Sequence, residues 1–266
     1  MKLINQSVEY IPQEEGLEGI YKQIEIAARV CYKSENRSTG DSKSFVDKLI
    51  KMKHFSMLEH GTIYLKLPVD YSNKSYIDCD TKYTDNPYSK LVYEDGVAHI
   101  TTNYRVLVEN NWLDDLKYLC KPTELHPKRL TFKLTTSISL VRELIRHRAF
   151  SFANESTRYI DYRKKGELIF IKPTWYNEKL PAHKEAFSAL GEVTETYYNG
   201  LRMIGEPAQF AREVLPLCTK SELVMTGFED DWSNFLDIRL RGTTGKPHPD
   251  MVELAKLIEN EIKKEK

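Results

Sequence analysis

Charged residues recur so regularly that no run in this chain approaches the roughly 18 uninterrupted apolar residues of a membrane-spanning helix. Apolar residues return instead at three- and four-residue steps. Ile20, Ile24, Ala27, Ala28 and Cys31 within Leu17–Tyr32, and Phe45, Leu49 and Met52 within Asp41–Lys53, predict two amphipathic helices. From Gly61 to Val69 the step changes to two (Ile63, Leu65, Leu67, Val69), which predicts a strand halted near Pro68. Asp70, Asn73, Asp78, Asp80, Asp85, Asn86 and Pro87 then break the pattern, and only Ala98–Val106 and Asn111–Leu119 keep any. Leu130, Phe132 and Leu134 predict a further strand, and Ile138, Val141, Leu144 and Ile145 a helix up to Arg146. Helices are expected over Lys184–Gly205 (Phe187, Leu190, Tyr197, Leu201, Ile204), Ala208–Leu215, Trp232–Leu240 and Met251–Ile262, the last two parted by a loop with two glycines and two prolines. This reads as α+β, one domain over residues 1–266 with an inserted subdomain at about 70–130.

Lys and Arg together number 39, as do Asp and Glu, so the formal net charge is zero. No bulk field draws the chain to nucleic acid or anionic lipid, and neither is expected as a partner. An anionic ligand must be held by a local cluster, and a neutral surface tolerates self-association. Cys31, Cys79, Cys120 and Cys218 form no CxxC pair, and the first ten residues have no secretory pattern, so reduced thiols in the cytoplasm are expected.

The densest polar constellation runs from Arg146 to Tyr159. Arg146, Arg148 and Arg158 stand there with Ser151, Ser156, Thr157 and Asn154. Guanidinium forks give bidentate, charge-assisted bonds and hydroxyls give short neutral ones, the set a phosphate needs. The plain alternative is a surface loop of Arg–Glu ion pairs.

The spacing of Arg146, His147 and Arg148, seven residues, then Ser156 resembles the signature of the flavin-dependent thymidylate synthases. Ala27–Tyr32, Lys53–His60, Ala211–Leu217 and Asn234–Arg239 are similar to further segments of that family, in the same order. The resemblance implies its α+β fold, a central mixed or antiparallel sheet with long helices. It implies reductive methylation of dUMP to dTMP, with 5,10-methylenetetrahydrofolate as carbon donor, FAD as hydride relay and NADPH as reductant. It also implies a homotetramer with FAD at the subunit interfaces. On that pattern His54, Ser56, Glu59, Arg146, His147, Arg148, Asn154 and Asn234 meet FAD. Glu143, Arg146, Asn154, Glu155, Ser156, Thr157, Arg158, Arg212 and Arg239 meet dUMP, and Arg239 is the catalytic group that polarises the uracil.

The chain departs from the family at Cys31, where Ser is frequent, at Glu143, where Gln is common, and at Phe228 and Asp230, where some members turn Asn and Arg towards flavin. A negative Asp230 cannot replace an Arg beside a phosphate, so either the insertion supplies other contacts or flavin binding leans on Arg148 and its neighbours. His54 and His60, with His147, invite a metal reading, but the two-His helical spacing of zincins is missing and no metal is expected. Cys218 has no nearby His in sequence and is expected to be structural. Tyr71, Tyr76, Tyr83, Tyr88 and Tyr93 either pack half-buried or stack on a base or pterin. Two other functions remain open: a nucleotide- or RNA-binding module built on the arginines and these tyrosines, and a flavin reductase of the same fold.

Overall fold

The structure is a computed structural model that describes residues 2–69, 82–162 and 168–265. A four-stranded sheet with neighbours antiparallel throughout forms its centre. Strands β2 (Ser7–Tyr10), β6 (Arg129–Ser137), β9 (Lys220–Phe228) and β7 (Ser151–Asn154) lie in that order. On one face Ala153 of β7 and Val224 of β9 pack with Ile20, Ile24, Ala27 and Ala28 of helix α1 (Gly16–Tyr32). On the other, Leu130, Phe132 and Leu134 of β6, with Leu223 and Met225 of β9, meet α7 (Glu229–Leu236) and α8 (Pro249–Lys264) through Trp232, Phe235, Met251, Leu254 and Ile258. Helix–sheet–helix layering thus buries both faces of the sheet.

Helix α2 (Ser42–Lys51) begins where the Asp41 carboxylate accepts the Ser44 N–H at 3.0 Å, as an N-cap does. Its Val46 and Leu49 are buried in the core of α1. The strand expected at 61–69 is β3 (Thr62–Pro68), and it pairs with β5 (Val97–Asn103), which in turn pairs with β4 (Lys90–Glu94). Helix α3 (Tyr104–Glu109) and a 3₁₀ turn at Leu113–Tyr118 follow, and Ile100, Tyr104, Val106 and Leu107 share one core with α1 and α2. Of the tyrosines singled out there, Tyr71 and Tyr76 lie outside the described residues, as does Cys79. Tyr83 is fully buried, its hydroxyl bonded to Asp115 at 2.6 Å.

Three expectations are corrected. Lys220–Phe228 was not expected as a strand, yet it is the strand between β6 and β7. Covered on both faces, it reads as a continuous run, Leu223 to Phe228, without the alternation of a half-exposed strand. Ser151–Asn154, part of the polar constellation whose plain alternative is a surface loop, is β7, with Ser151 and Ala153 buried. Helix α4 (Ile138–Leu144), by contrast, follows its expected course, with Ile145 still bonded to the Val141 carbonyl at 3.1 Å, and beyond it the Phe150 ring packs on Trp232 and Phe235, with centroids at 4.6 and 6.2 Å. Tyr197 and Ile204, expected on the core face of the long helix α5 (Pro181–Met203), are 62% and 77% exposed, while Phe187, Gly191, Thr194 and Tyr198 face inward. Short strands β1 (Lys2–Ile4) and β8 (Ile169–Ile171) pair in parallel beside it, and α6 (Ala208–Ala211) ends in a 3₁₀ turn at Arg212–Val214.

Candidate functional site

Helix α7 does not simply continue to Leu240. After Leu236 it widens into a π turn, Asp237–Arg241, closed by Gly242 in the left-handed region (φ 73°), a conformation glycine adopts without steric cost. The widened turn carries Arg239 back to α4. There its Nε–H donates to His147 Nε2 at 2.8 Å and its terminal N–H to Glu143 Oε2 at 2.9 Å. Accepting at Nε2 puts the neutral imidazole's proton on Nδ1. Burial first, and the Arg239 charge second, push the His147 pKa down to about 4, while the Phe235 ring packs edge-on at 5.0 Å. Glu143, His147 and Arg239 are therefore one unit. Arg146 and Arg148, on the turn after α4, are exposed, and among the described residues neither has a carboxylate within ion-pair distance. Asn234 is exposed on α7.

The second group lies at the far end of β7, about 13 Å along a strand of four residues. The Ser156 N–H donates to the Cys31 carbonyl at the end of α1 (3.1 Å), which fixes the turn that follows. Arg212 donates to Thr157 Oγ1 at 3.4 Å, and Arg158 reaches Gln209 Oε1 at 3.5 Å. Asn154 Oδ1 accepts from Ser221, and the buried Glu155 carboxylate accepts from Lys220 at 2.8 Å. Five arginines expected at the site thus fall into two sets within one chain: 146, 148 and 239 at one end of β7, 158 and 212 at the other.

The third group packs against β7 from the side, on the 3₁₀ turn Phe55–His60. His54 stacks on Tyr32 and shares a 2.8 Å hydrogen bond with its hydroxyl, and Tyr32 in turn lies 6.4 Å from the exposed Tyr159 ring. These rings link the third group to the second. Ser56 is exposed, and Glu59 is held by Arg105 at 2.5 Å. Asp230, at the departure from the family, accepts at both carboxylate oxygens from Lys90 at 2.6 Å and at Oδ1 from the Asp231 N–H at 3.1 Å, and the same ammonium stands 4.3 Å from the Phe228 ring. Segment 82–130 therefore brings cations to both places. Tyr32, Lys90 and Arg105 were missed from the sequence. Only Tyr32, inside the Ala27–Tyr32 motif, carried a signal there.

The three histidines of the metal reading have separate partners, and among the described residues no group of three or more His, Cys, Asp and Glu side chains is arranged to hold a metal ion. Cavities of about 360 and 500 Å³, beside Arg129 and beside Glu25, are lined by none of the expected site residues. His60 is fully buried, its Nδ1 bonded to Thr226 Oγ1 at 2.8 Å. Burial, and then the Arg129 charge, push its pKa down to about 3 from the ordinary 6.5. A depressed histidine leaves the unfolded chain binding more protons below pH 6.5, so its contribution is complete above that value and declines as pH falls towards 3. Lowering the pH from about 7.5 to about 5.5 is expected to cost about 1 kcal/mol through His60 alone. Thermal melts across that interval check it, and a flat melting temperature would contradict a neutral, buried His60.

Exposed guanidiniums without a carboxylate partner among the described residues, Arg146 and Arg148, stand here on a layered helix-and-sheet scaffold, and groups of this kind suit anions. The chain belongs to the family described as Thymidylate synthase complementing protein, whose profile matches residues 16–72 and 92–265. The unmatched residues 73–91 lie inside the span expected as an insertion. Over 117 residues it is 34% identical to the flavin-dependent thymidylate synthase of Corynebacterium efficiens, covering 39% of this chain and 46% of that protein. Over 146 residues it is 26% identical to the flavin-dependent thymidylate synthase of a Synechocystis species, covering 48% and 65%. The chain spans less than two thirds of the length of these curated relatives. A crystal structure of a UMP/dUMP methylase, PolB from Streptomyces cacaoi, bound with 5-Br dUMP, superposes over 99% of this chain and 93% of that one, with 20% identity and a TM-score of 0.48. No helix among the described residues is long and apolar enough to cross a membrane.

Proposed function

We propose that this chain reductively methylates dUMP to dTMP, with 5,10-methylenetetrahydrofolate as carbon donor and NADPH as reductant. The observation that carries the proposal is Arg239, set on Glu143 and His147 beside the free guanidiniums of Arg146 and Arg148, in a chain of this family. Of the five N–H groups of Arg239, one goes to His147, one to Glu143 Oε2 and one, at 3.5 Å, to the Glu143 carbonyl. Two remain for the uracil carbonyl oxygens, where a guanidinium stabilises negative charge and makes the ring more reactive. Glu143 and neutral His147 orient the fork.

The residues present fit FAD, since two exposed arginines without carboxylate partners suit its pyrophosphate. When bound, FAD supplies the hydride relay. Arg146, His147, Arg148 and Asn234 would hold it, with His54, Ser56, Glu59 and Asn154 from the neighbouring segments, and His147 offers its Nδ1–H as a donor. Ser156, Thr157, Arg158 and Arg212 would grip the dUMP phosphate. Their separation along β7 supports a site completed by a second subunit, in keeping with a homotetramer with FAD at its interfaces. Val193, Tyr197, Met203, Ile204 and Phe210, all more than half exposed, form an apolar surface suited to such assembly. Among the described residues Cys31, Cys120 and Cys218 are free thiols, which supports a cytoplasmic setting. The fold is read as one catalytic domain of the flavin-dependent type with its insertion at about 70–130.

With FAD, NADPH, methylenetetrahydrofolate and dUMP tritiated at C5, the protein is expected to release tritium and form dTMP. NADPH oxidation that yields no dTMP would instead identify a flavin reductase.

A further inference from the structure

Where the end of α1, the start of β9 and the end of β7 meet, three lysines (33, 133, 220) and three glutamates (35, 155, 222) form a cluster, of which only Glu155 is expected from the family resemblance to meet dUMP. Glu155 Oε2 accepts from Lys220 Nζ at 2.8 Å and from the Glu222 N–H at 3.1 Å, with Lys33 Nζ at 3.6 Å. The Glu222 carboxylate pairs with Lys33, with Lys220 at 2.8 Å and with Lys133 at 3.4 Å. The Glu155 side chain is 3% exposed, and those of Lys33, Lys220 and Glu222 are 14%, 12% and 13% exposed. Lys33 ends α1 in the left-handed backbone region (φ 49°) common at helix C-termini, its N–H bonded to the Val30 carbonyl, which fixes where its side chain leaves the helix. Burial alone would lower the Lys33 pKa, but Glu155 and Glu222 push it up to about 12. Burial would raise that of Glu222, but Lys220 and Lys33 bring it down to about 2.

A buried ion cluster of this kind contributes little net stability, because desolvation offsets its attractions. Its position is informative. Glu155 immediately precedes the turn Ser156–Arg158, and the Ser156 N–H is tied to Cys31, two residues before Lys33. The turn is therefore clamped at its entrance by a cluster in which, with Glu35 3.2 Å from Lys33, three lysines face three glutamates.

We propose that Lys33, Lys220 and Glu222 are positioning residues, which act through the Glu155 carboxylate to hold the Ser156–Arg158 turn in the shape that grips the phosphate of dUMP without touching the nucleotide themselves. The inference rests on the dUMP reading above. Lys220 joins both carboxylates and is the residue to change.

Equilibrium dialysis of dUMP and of deoxyuridine, which lacks the phosphate, tests it on the flavin-loaded protein. Lys220→Met is expected to weaken dUMP binding about tenfold or more, as misplacement of a binding turn does, while deoxyuridine binding holds and Lys220→Arg restores most of the dUMP affinity. If Lys220→Met does not fold, Glu222→Gln carries the same expectation. Unchanged dUMP affinity in the folded variant, or an equal loss for deoxyuridine, would overturn the positioning role alone. Wild-type protein that bound no dUMP would overturn the functional reading and this inference with it.

Discussion

Arg239→Ala is expected to lower dTMP formation by about 10²–10³-fold, the range seen when one preorganised donor to developing charge is removed. The loss has two sources. The two N–H groups facing the proposed uracil position disappear, and Glu143 is left without the cation that holds it. Arg239→Lys is not expected to rescue activity, because an ammonium cannot bond His147 and Glu143 at once with a planar fork. A second readout is independent of turnover. Burial is the larger cause of the depressed His147 pKa and Arg239 the smaller, so the imidazole titration, followed by NMR, should move up from about 4 in Arg239→Ala without reaching an ordinary value. Full activity in this variant would remove Arg239 from the chemistry.

Gly227→Ala is expected to destabilise the fold by about 3 kcal/mol, near the upper end for overpacking a core. A Cβ built at Gly227 stands 2.3 and 2.5 Å from two Phe150 ring carbons, too close for any real contact. The ring cannot retreat, since Trp232, Phe235 and Phe152 surround it at 4.6, 6.2 and 6.5 Å between centroids. Phe150 also anchors the turn that carries Arg146 to Arg148, so flavin binding should weaken along with stability. Gly200→Ala is the control: a Cβ there meets nothing within 4 Å, and in the helix interior alanine should stabilise by about 0.5–1 kcal/mol. Differential scanning calorimetry separates the two, and an unchanged melting temperature in Gly227→Ala would refute the packing argument.

Local periodicity made much of this fold legible. Helices α1, α2, α4 and α8 each show one apolar stripe because each lies with one face on a core, and β3 and β6 alternate because polar or half-exposed side chains, Tyr64 and Lys66 and then Lys133 and Thr135, take every second position. Strand β9 hides for the opposite reason. With both faces covered it has no polar side to alternate with, and its neighbour β7 is half composed of the polar residues that made it look like a loop. Tyr197 and Ile204 misled because helical spacing reports an apolar face without saying what covers it.

The site divides in the same way. The arginines, hydroxyls and histidines that suit phosphate and flavin stand in short local motifs, and their chemistry is a property of residue type and spacing. What the motifs do to one another is not. Arg239 lies 92 residues from His147 and 96 from Glu143, so the coupling that neutralises the imidazole and aims the guanidinium exists only once the π turn meets the end of α4. The lysines beneath Ser156 come from α1, β6 and β9, and no spacing joins them. Sequence by itself determined which groups are available, because amphipathic periods and motifs are encoded over a few residues. Tertiary structure alone decided which of them share a charge, a hydrogen bond or a buried face, because those energies depend on distance in space.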